Sequence, residues 1–83
     1  MSAIKSYTHL GQLRFSVTVG RKSAREFKTA PEALQKGIEM ALAEDPRAPA
    51  LLAGKSFESQ VGIIFGAETR ERFFGQPKEG KQQ

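Results

Sequence analysis

Apolar and polar residues alternate strictly along residues 13–19. Odd-numbered positions are apolar and even-numbered positions are polar: Leu13, Phe15, Val17 and Val19 against Arg14, Ser16 and Thr18. Period-two alternation with β-branched and aromatic residues predicts a strand with one face on the core and the other in solvent. Gly20 then marks a turn.

Residues 23–28 are interpreted as the second strand of a hairpin, with two possible registers. A three-residue loop over 20–22 would place Phe27 beside Phe15 on the buried face, whereas a two-residue loop would turn Phe27 outward. We prefer the three-residue loop, because the two rings form a favourable cross-strand pair. A slip of one residue would move every side chain of the strand to the other face.

A capping box and an apolar stripe predict the main helix, over roughly residues 30–44. Thr29 is suited to cap the first amides, and Glu32, three residues later, completes the box. Apolar residues then recur at i, i+4, i+7 and i+8: Leu34, Ile38, Ala41 and Leu42. Ala33 and Gly37 are small enough to allow close approach to the sheet.

Asp45 is expected to cap a second, short helix that begins at Pro46 and ends at Gly54. Its apolar side would consist of Ala50, Leu51 and Leu52. This role of Asp45 also accounts for the two adjacent acids at the end of the main helix, which would otherwise oppose its dipole.

Residues 56–65 are interpreted as a further strand with one apolar face, formed by Phe57, Val61, Ile63 and Phe65. Gly62 within it indicates a bulge or a close backbone contact. Residues 70–74 are interpreted as a final edge strand, with a short helix as the alternative. Residues 1–10 fit either an additional strand or a segment draped over the core.

These elements predict an α+β fold with a small antiparallel sheet of three to four strands in β-β-α-β-β order. One main helix packs on one face of the sheet, and a short second helix follows. Residues 1–74 would form the single domain, and residues 75–83, which lack apolar side chains, a disordered polar tail. The edge strands of so small a sheet could also pair in a homodimer.

The composition excludes several classes of protein. A chain of 83 residues is too short to enclose a deep cofactor cleft. It contains no cysteine, which excludes disulfides, cysteine-ligated zinc and thiol chemistry. Because no apolar run resembles a signal sequence or a membrane span, we expect a cytoplasmic protein without membrane association.

Positive charge is concentrated in the first third of the chain. The formal net charge is +4, from 13 Lys and Arg against 9 Asp and Glu. Residues 1–28 hold six of these cations and one acid, a net charge of +5, whereas residues 29–54 have a net charge of −2 and residues 55–83 of +1. Such asymmetry favours an anionic partner.

The predicted binding site is the group of cations on the first hairpin: Arg14, Arg21, Lys22, Arg25 and Lys28. We expect four or more of them to converge, and clustered cations with hydroxyl neighbours can follow a phosphate backbone. Because the phenylalanines are assigned to the buried face, contact with a duplex or a nucleoprotein is favoured over base stacking. A purely solubilising role of these charges is the alternative.

Three other patterns do not form a site. Residues 54–56 read Gly-Lys-Ser, the end of a phosphate-binding loop, but Pro49 stands where that loop needs its first glycine. His9 has no nucleophile and acid beside it, and the adjacent acids at 44–45 offer too few oxygens for a cation. We therefore expect no enzymatic activity, no metal and no cofactor.

Two functions remain. The first is a non-enzymatic module whose basic hairpin contacts nucleic acid or a nucleoprotein. The second is a protein–protein adaptor or inhibitor of the phage or mobile-element type that binds an acidic surface, for example one blocking a nucleic-acid-binding machine such as a CRISPR effector. The hairpin–helix order resembles three-stranded ribbon-and-helix DNA binders, and the size resembles small phage inhibitors, but no residue motif supports a family assignment.

Overall fold

The computed structural model describes residues 2–75, in which a three-stranded antiparallel sheet is followed by four helices. The elements are β1 (Ser2–His9), β2 (Gln12–Val19), β3 (Lys22–Phe27), α1 (Ala30–Glu44), α2 (Ala48–Leu52), α3 (Phe57–Phe65) and α4 (Ala67–Phe74). The α+β class and the antiparallel sheet of three strands are confirmed. The β-β-α-β-β order and the fourth strand are wrong. Residues 76–83 of the predicted tail lie outside the described residues.

The N-terminal segment, whose structure the sequence left open, forms β1. It joins the sheet through a two-residue turn. His9 pairs with Gln12, so Leu10 and Gly11 alone connect the two strands. Both turn residues have positive φ, 53° and 77°, as a type I′ turn requires. This turn lets β1 run antiparallel along the whole length of β2.

The second hairpin combines a two-residue turn with a bulge. Val19 pairs with Lys22, so the turn consists of residues 20–21, and the expected three-residue loop is wrong. Phe27 nevertheless lies opposite Phe15, because the register shifts by one residue along β3. The pairing of the two phenylalanines is therefore as expected, although the turn is not.

The bulge consists of Arg25 and Glu26, which together face the single residue Ser16 of β2. Glu26 has a φ of 71°, a region that residues other than glycine rarely adopt. The extra residue in β3 compensates for the short turn. It keeps Phe27 on the face that packs against the helices.

α1 has the predicted bounds and the predicted capping box. The Glu32 amide donates to the Thr29 hydroxyl at 3.4 Å, and the Thr29 amide donates to the Glu32 carboxylate at 3.3 Å. Ala33 is fully buried, as its size suggested. The stripe differs in one position, since Leu42 is 39% exposed and Met40 is buried instead.

Gly37 is the point at which α1, the sheet and α3 meet. A Cβ atom at this position would overlap the ring of Phe65 and lie 2.9 Å from Cγ2 of Val17. The ring of Phe65 thus occupies the space that a side chain would fill. The expected close approach is confirmed, and its packing offsets the cost of about 1 kcal/mol that glycine carries inside a helix.

α2 begins at Ala48 rather than Pro46, and its N-cap is Arg47 without a side-chain cap, so the expected capping of this helix by Asp45 is wrong. The Asp45 carboxylate accepts a backbone amide at 2.9 Å. Ala48 and Leu52 are buried. Leu51, which was expected on the apolar side, is 51% exposed.

Residues 57–65 form helix α3, so the predicted strand is wrong. The Ser56 hydroxyl caps this helix by accepting the Ser59 amide at 3.2 Å. Most of the apolar residues that suggested a strand are four positions apart, a spacing that fits both period two and the helical period. Ile63 does not share this spacing and distinguishes the two structures. It is 42% exposed, whereas Ile64, which a strand would turn to the other face, packs against the core.

Residues 67–74 form helix α4, so the predicted edge strand at 70–74 is also wrong. The alternative of a short helix was correct. The ring of Phe73 contacts that of Phe15 edge-to-face with centroids 6.4 Å apart. Phe74 contacts Phe57 in the same way at 5.8 Å. These aromatic pairs attach α4 to both the sheet and α3.

Arg70 also joins α4 to α3. Its Nη1 atom lies 3.1 Å from Oε2 of Glu58, and its side chain extends over Gly62. A Cβ atom on this glycine would lie 3.1 Å from Cδ of Arg70. The expected close contact at Gly62 is therefore made, with a side chain rather than with backbone.

The core lies between the helices and one face of the sheet. The sheet contributes Ile4, Val17 and Val19, and the helices contribute chiefly Leu34, Ile38, Met40, Leu52, Val61 and Phe65. No element within residues 2–75 covers the opposite face of the sheet. None of the helices in this range is long and apolar enough to cross a membrane.

We predict that Gly37→Ala destabilises the domain by about 1–2 kcal/mol, because overpacking outweighs the gain in helix propensity. Chemical denaturation measures the change. Gly62→Ala is the matched control, since its new methyl group meets only the flexible side chain of Arg70, which is 23% exposed. Equal stability of the Gly37→Ala variant and the wild type would contradict the packing described for Gly37.

We predict that Leu10→Asn stabilises the domain by about 0.5–1 kcal/mol, because asparagine adopts positive φ at lower cost than leucine. Leu10 is 89% exposed, so little apolar burial is lost. Thermal unfolding should show a Tm higher by roughly 2–8 °C. Leu13→Asn, at a position that is 56% exposed and has no positive φ, should give no gain. A similar rise in both variants would argue against strain at Leu10.

Candidate nucleic-acid interface

The face of the sheet that lies away from the helices is polar and basic. Successive side chains of a strand point to opposite faces, and the register places Tyr7 opposite Arg14 and Lys5 opposite Ser16. We define the outward sheet face by these positions: Ala3, Lys5, Tyr7, His9, Gln12, Arg14, Ser16, Thr18, Ser23 and Arg25. Three of them are Lys or Arg, and the acid nearest to them in the sheet is the bulge residue Glu26, which follows Arg25.

Tyr7 links the two outer strands across this face. Its hydroxyl accepts the backbone amide of Glu26 at 3.0 Å. β1 and β3 are separated by β2 and lie about 10 Å apart, so the phenol extends along the sheet rather than away from it. The guanidinium carbon of Arg25 lies 5.2 Å from the centroid of the tyrosine ring, within the range of a cation–π interaction.

The bulge in β3 makes both contacts of Tyr7 possible. Bulges redirect side chains and release backbone groups from the regular ladder. Here the amide of Glu26 bonds the tyrosine hydroxyl, and the neighbouring Arg25 reaches the ring. Tyr7 and Arg25 therefore hold a defined arrangement on the outward sheet face.

Arg14 lies on β2, the central strand, directly opposite Tyr7. Its guanidinium donates to the carbonyl of Leu13 at 3.0 Å and to the side-chain oxygen of Gln12. Neither acceptor is charged, so the positive charge of Arg14 is oriented but not neutralised.

Lys22 does not join the other cations, which corrects the expected convergence. It pairs with Val19 on the helix side of the sheet, and its Nζ atom lies 3.1 Å from Oε2 of Glu44 at the end of α1. Its pairing with Val19 points it toward the helices, because the side chains of Val19 and its partner share a face.

Arg21 and Lys28 lie at opposite ends of β3 and are exposed. Arg21 is in the hairpin turn, and Lys28 follows the strand just before the capping box of α1. Of the five predicted site residues, the structure brings only Arg14 and Arg25 together on one face.

The sequence pattern does not reveal Lys5 and Tyr7 as members of this face. β1 presents Ser6 and Thr8 on its inner side, so it lacks the apolar alternation that reveals a strand. The signal that could have identified it is Gly11 directly before the clear pattern of β2, which is typical of a tight hairpin turn. The expectation that the outward face lacks an aromatic residue is wrong because of Tyr7.

The cations of the outward sheet face have no acidic partners in the described part of the chain. The ion pairs found there are Lys22–Glu44, Arg47–Asp45 and Arg70–Glu58. None of them involves Lys5, Arg14 or Arg25. The face therefore presents three cations that no ion pair within residues 2–75 neutralises.

His9 is exposed at the end of β1, opposite Gln12. Within residues 2–75, no three His, Asp or Glu side chains are grouped so that they could hold a metal ion.

Comparison with known proteins gives no relative: no family model matches the chain, and no curated protein or solved structure is significantly similar to it.

We predict that Tyr7→Phe lowers the stability of the domain by about 1 kcal/mol or less, because the Glu26 amide loses its acceptor. Hydrogen exchange of that amide should become faster. Thr18→Val removes another exposed hydroxyl of the same face and should leave the exchange unchanged. If the Glu26 amide exchanged equally fast in the wild type and in Tyr7→Phe, the hydrogen bond would not hold in solution.

Proposed function

We propose that this protein is a non-enzymatic nucleic-acid-binding domain and that the outward sheet face is its binding surface. The observation that carries the proposal is the charge of this face. Lys5, Arg14 and Arg25 lie there without an ion pair to any described acid, and the one carboxylate beside them in the sheet is that of Glu26, next to Arg25. Such a surface attracts polyanions and releases their counterions on contact.

Polar groups around these cations support the same proposal. Hydroxyl and amide side chains contact phosphate and sugar oxygens in many complexes, and the outward sheet face carries four of them: Gln12, Ser16, Thr18 and Ser23. Arg21 and Lys28, at the two ends of β3, extend the positive charge along the edge of the sheet. Lys22 is excluded from the surface, because it faces the helices and pairs with Glu44.

We predict that Arg14→Gln combined with Arg25→Gln weakens binding of a single-stranded oligonucleotide roughly 10- to 30-fold at about 0.1 M salt. Two phosphate contacts would be lost, so the slope of log K against log salt should decrease by about 1.4. Fluorescence anisotropy over a salt titration measures both quantities.

The matched control is Lys22→Gln combined with Lys36→Gln. It removes the same number of charges from the helix side and should leave affinity within about twofold, since charges far from the contact surface are screened. Equal loss of affinity in the two double variants would mean that net charge alone drives binding. No measurable binding by the wild type would remove the proposal altogether.

A protein–protein adaptor or inhibitor that binds an acidic surface is the second candidate. The observation that favours it is the first hairpin turn, where Leu10 is 89% and Leu13 is 56% exposed. Exposed leucines at a projecting turn are suited to enter an apolar pocket of a partner. Polyglutamate is the discriminating competitor: if it displaces the oligonucleotide as well as unlabelled oligonucleotide does, acidic protein surfaces become the better ligand class.

A further inference from the structure

We propose that Tyr7 and Arg25 form a stacking site for an unpaired nucleobase, so that the ligand of the outward sheet face is single-stranded nucleic acid. This inference rests on the proposed function and names the ligand class. It reverses the preference for duplex contact that followed from the apparent lack of an outward aromatic residue.

The first support is the fixed orientation of the tyrosine ring. Tyr7 starts on β1 and its hydroxyl is held by the Glu26 amide on β3 at 3.0 Å. A ring anchored at both ends across β2 lies along the sheet, partly exposed and with the guanidinium of Arg25 over it. Little rotamer entropy is then lost when a ligand stacks on it.

The second support is Arg25, a second planar group at the same place. Its guanidinium carbon lies 5.2 Å from the ring centroid, and the residue is exposed. Unpaired bases stack on tyrosine rings and on guanidinium planes alike. The bulge of β3 places Arg25 near the ring.

The third support is the charge on either side of the ring. Arg14 lies directly across from Tyr7, and Lys5 precedes it by two residues on the same face of β1, a distance of about 7 Å along the strand. A base stacked on Tyr7 would therefore have cations beside the phosphates that flank it. Bases within a duplex are already stacked on their neighbours, so only an unpaired base can use the site.

Tyr7 is the only tyrosine, and the chain has no tryptophan, so its fluorescence reports on the site directly. We expect oligo(dT) and oligo(U) of about ten nucleotides to quench this emission on binding, because every base has a stacking face. An abasic oligodeoxynucleotide of equal length should bind through its phosphates without quenching. Quenching by either base-containing strand supports the proposal, and quenching by neither, at saturating binding, overturns it.

Variants separate stacking from charge. Tyr7→Leu should lower affinity for oligo(dT) roughly 5- to 150-fold and leave affinity for the abasic strand within about twofold. Tyr7→Phe keeps the ring but loses its hydrogen bond to the Glu26 amide, so it should lose less affinity than Tyr7→Leu. Equal loss for the two strands in Tyr7→Leu, or none for oligo(dT), would overturn the stacking site.

If the wild type bound base-containing and abasic strands and duplex equally well without quenching, only this inference would fail. Binding to none of them would remove the proposed function itself.

Discussion

The contact at Gly37 is the constraint on which the rest of the domain depends. There the backbone of α1 approaches Val17 of the sheet so closely that the ring of Phe65 from α3 fills the remaining space. One glycine thus sets the distances between three elements. Because Phe65 is engaged at this point, α3 lies beside α1 on the same side of the sheet, and α4 follows it there through the pairing of Phe73 with Phe15.

A one-sided arrangement follows from this packing. The helices described within residues 2–75 lie on the inner side of the sheet, and none of them covers the other face. The other face of the sheet must therefore remain compatible with water. The sequence meets this requirement with hydroxyl, amide and cationic side chains instead of a balanced mixture of charges, which is why a surface needed for solubility also has the properties of an anion-binding surface.

The parts of the fold that could be predicted are those with an unambiguous local signal. The capping box of Thr29 and Glu32 and the alternation of β2 each have one structural interpretation, and both are correct. Residues 57–65 and 1–10 do not: apolar residues four positions apart fit a strand and a helix, and β1 has polar residues on both faces. The candidate site shows the same difference between clear and ambiguous signals. The outward position of Arg14 could be predicted from the alternation of β2. Lys22 and Tyr7 depend on a turn length and a bulge that only the folded chain reveals.

The bulge in β3 affects both the packing of Phe27 on the inner face and the hydrogen bond of Tyr7 on the outer face. Two residues, Arg25 and Glu26, occupy the place opposite Ser16 where a regular ladder would have one. A strand one residue shorter would pair regularly and still bring Phe27 beside Phe15. The core could thus keep the pairing of the two phenylalanines in either form of the strand, whereas the hydrogen bond to the Tyr7 hydroxyl uses the amide of a bulge residue.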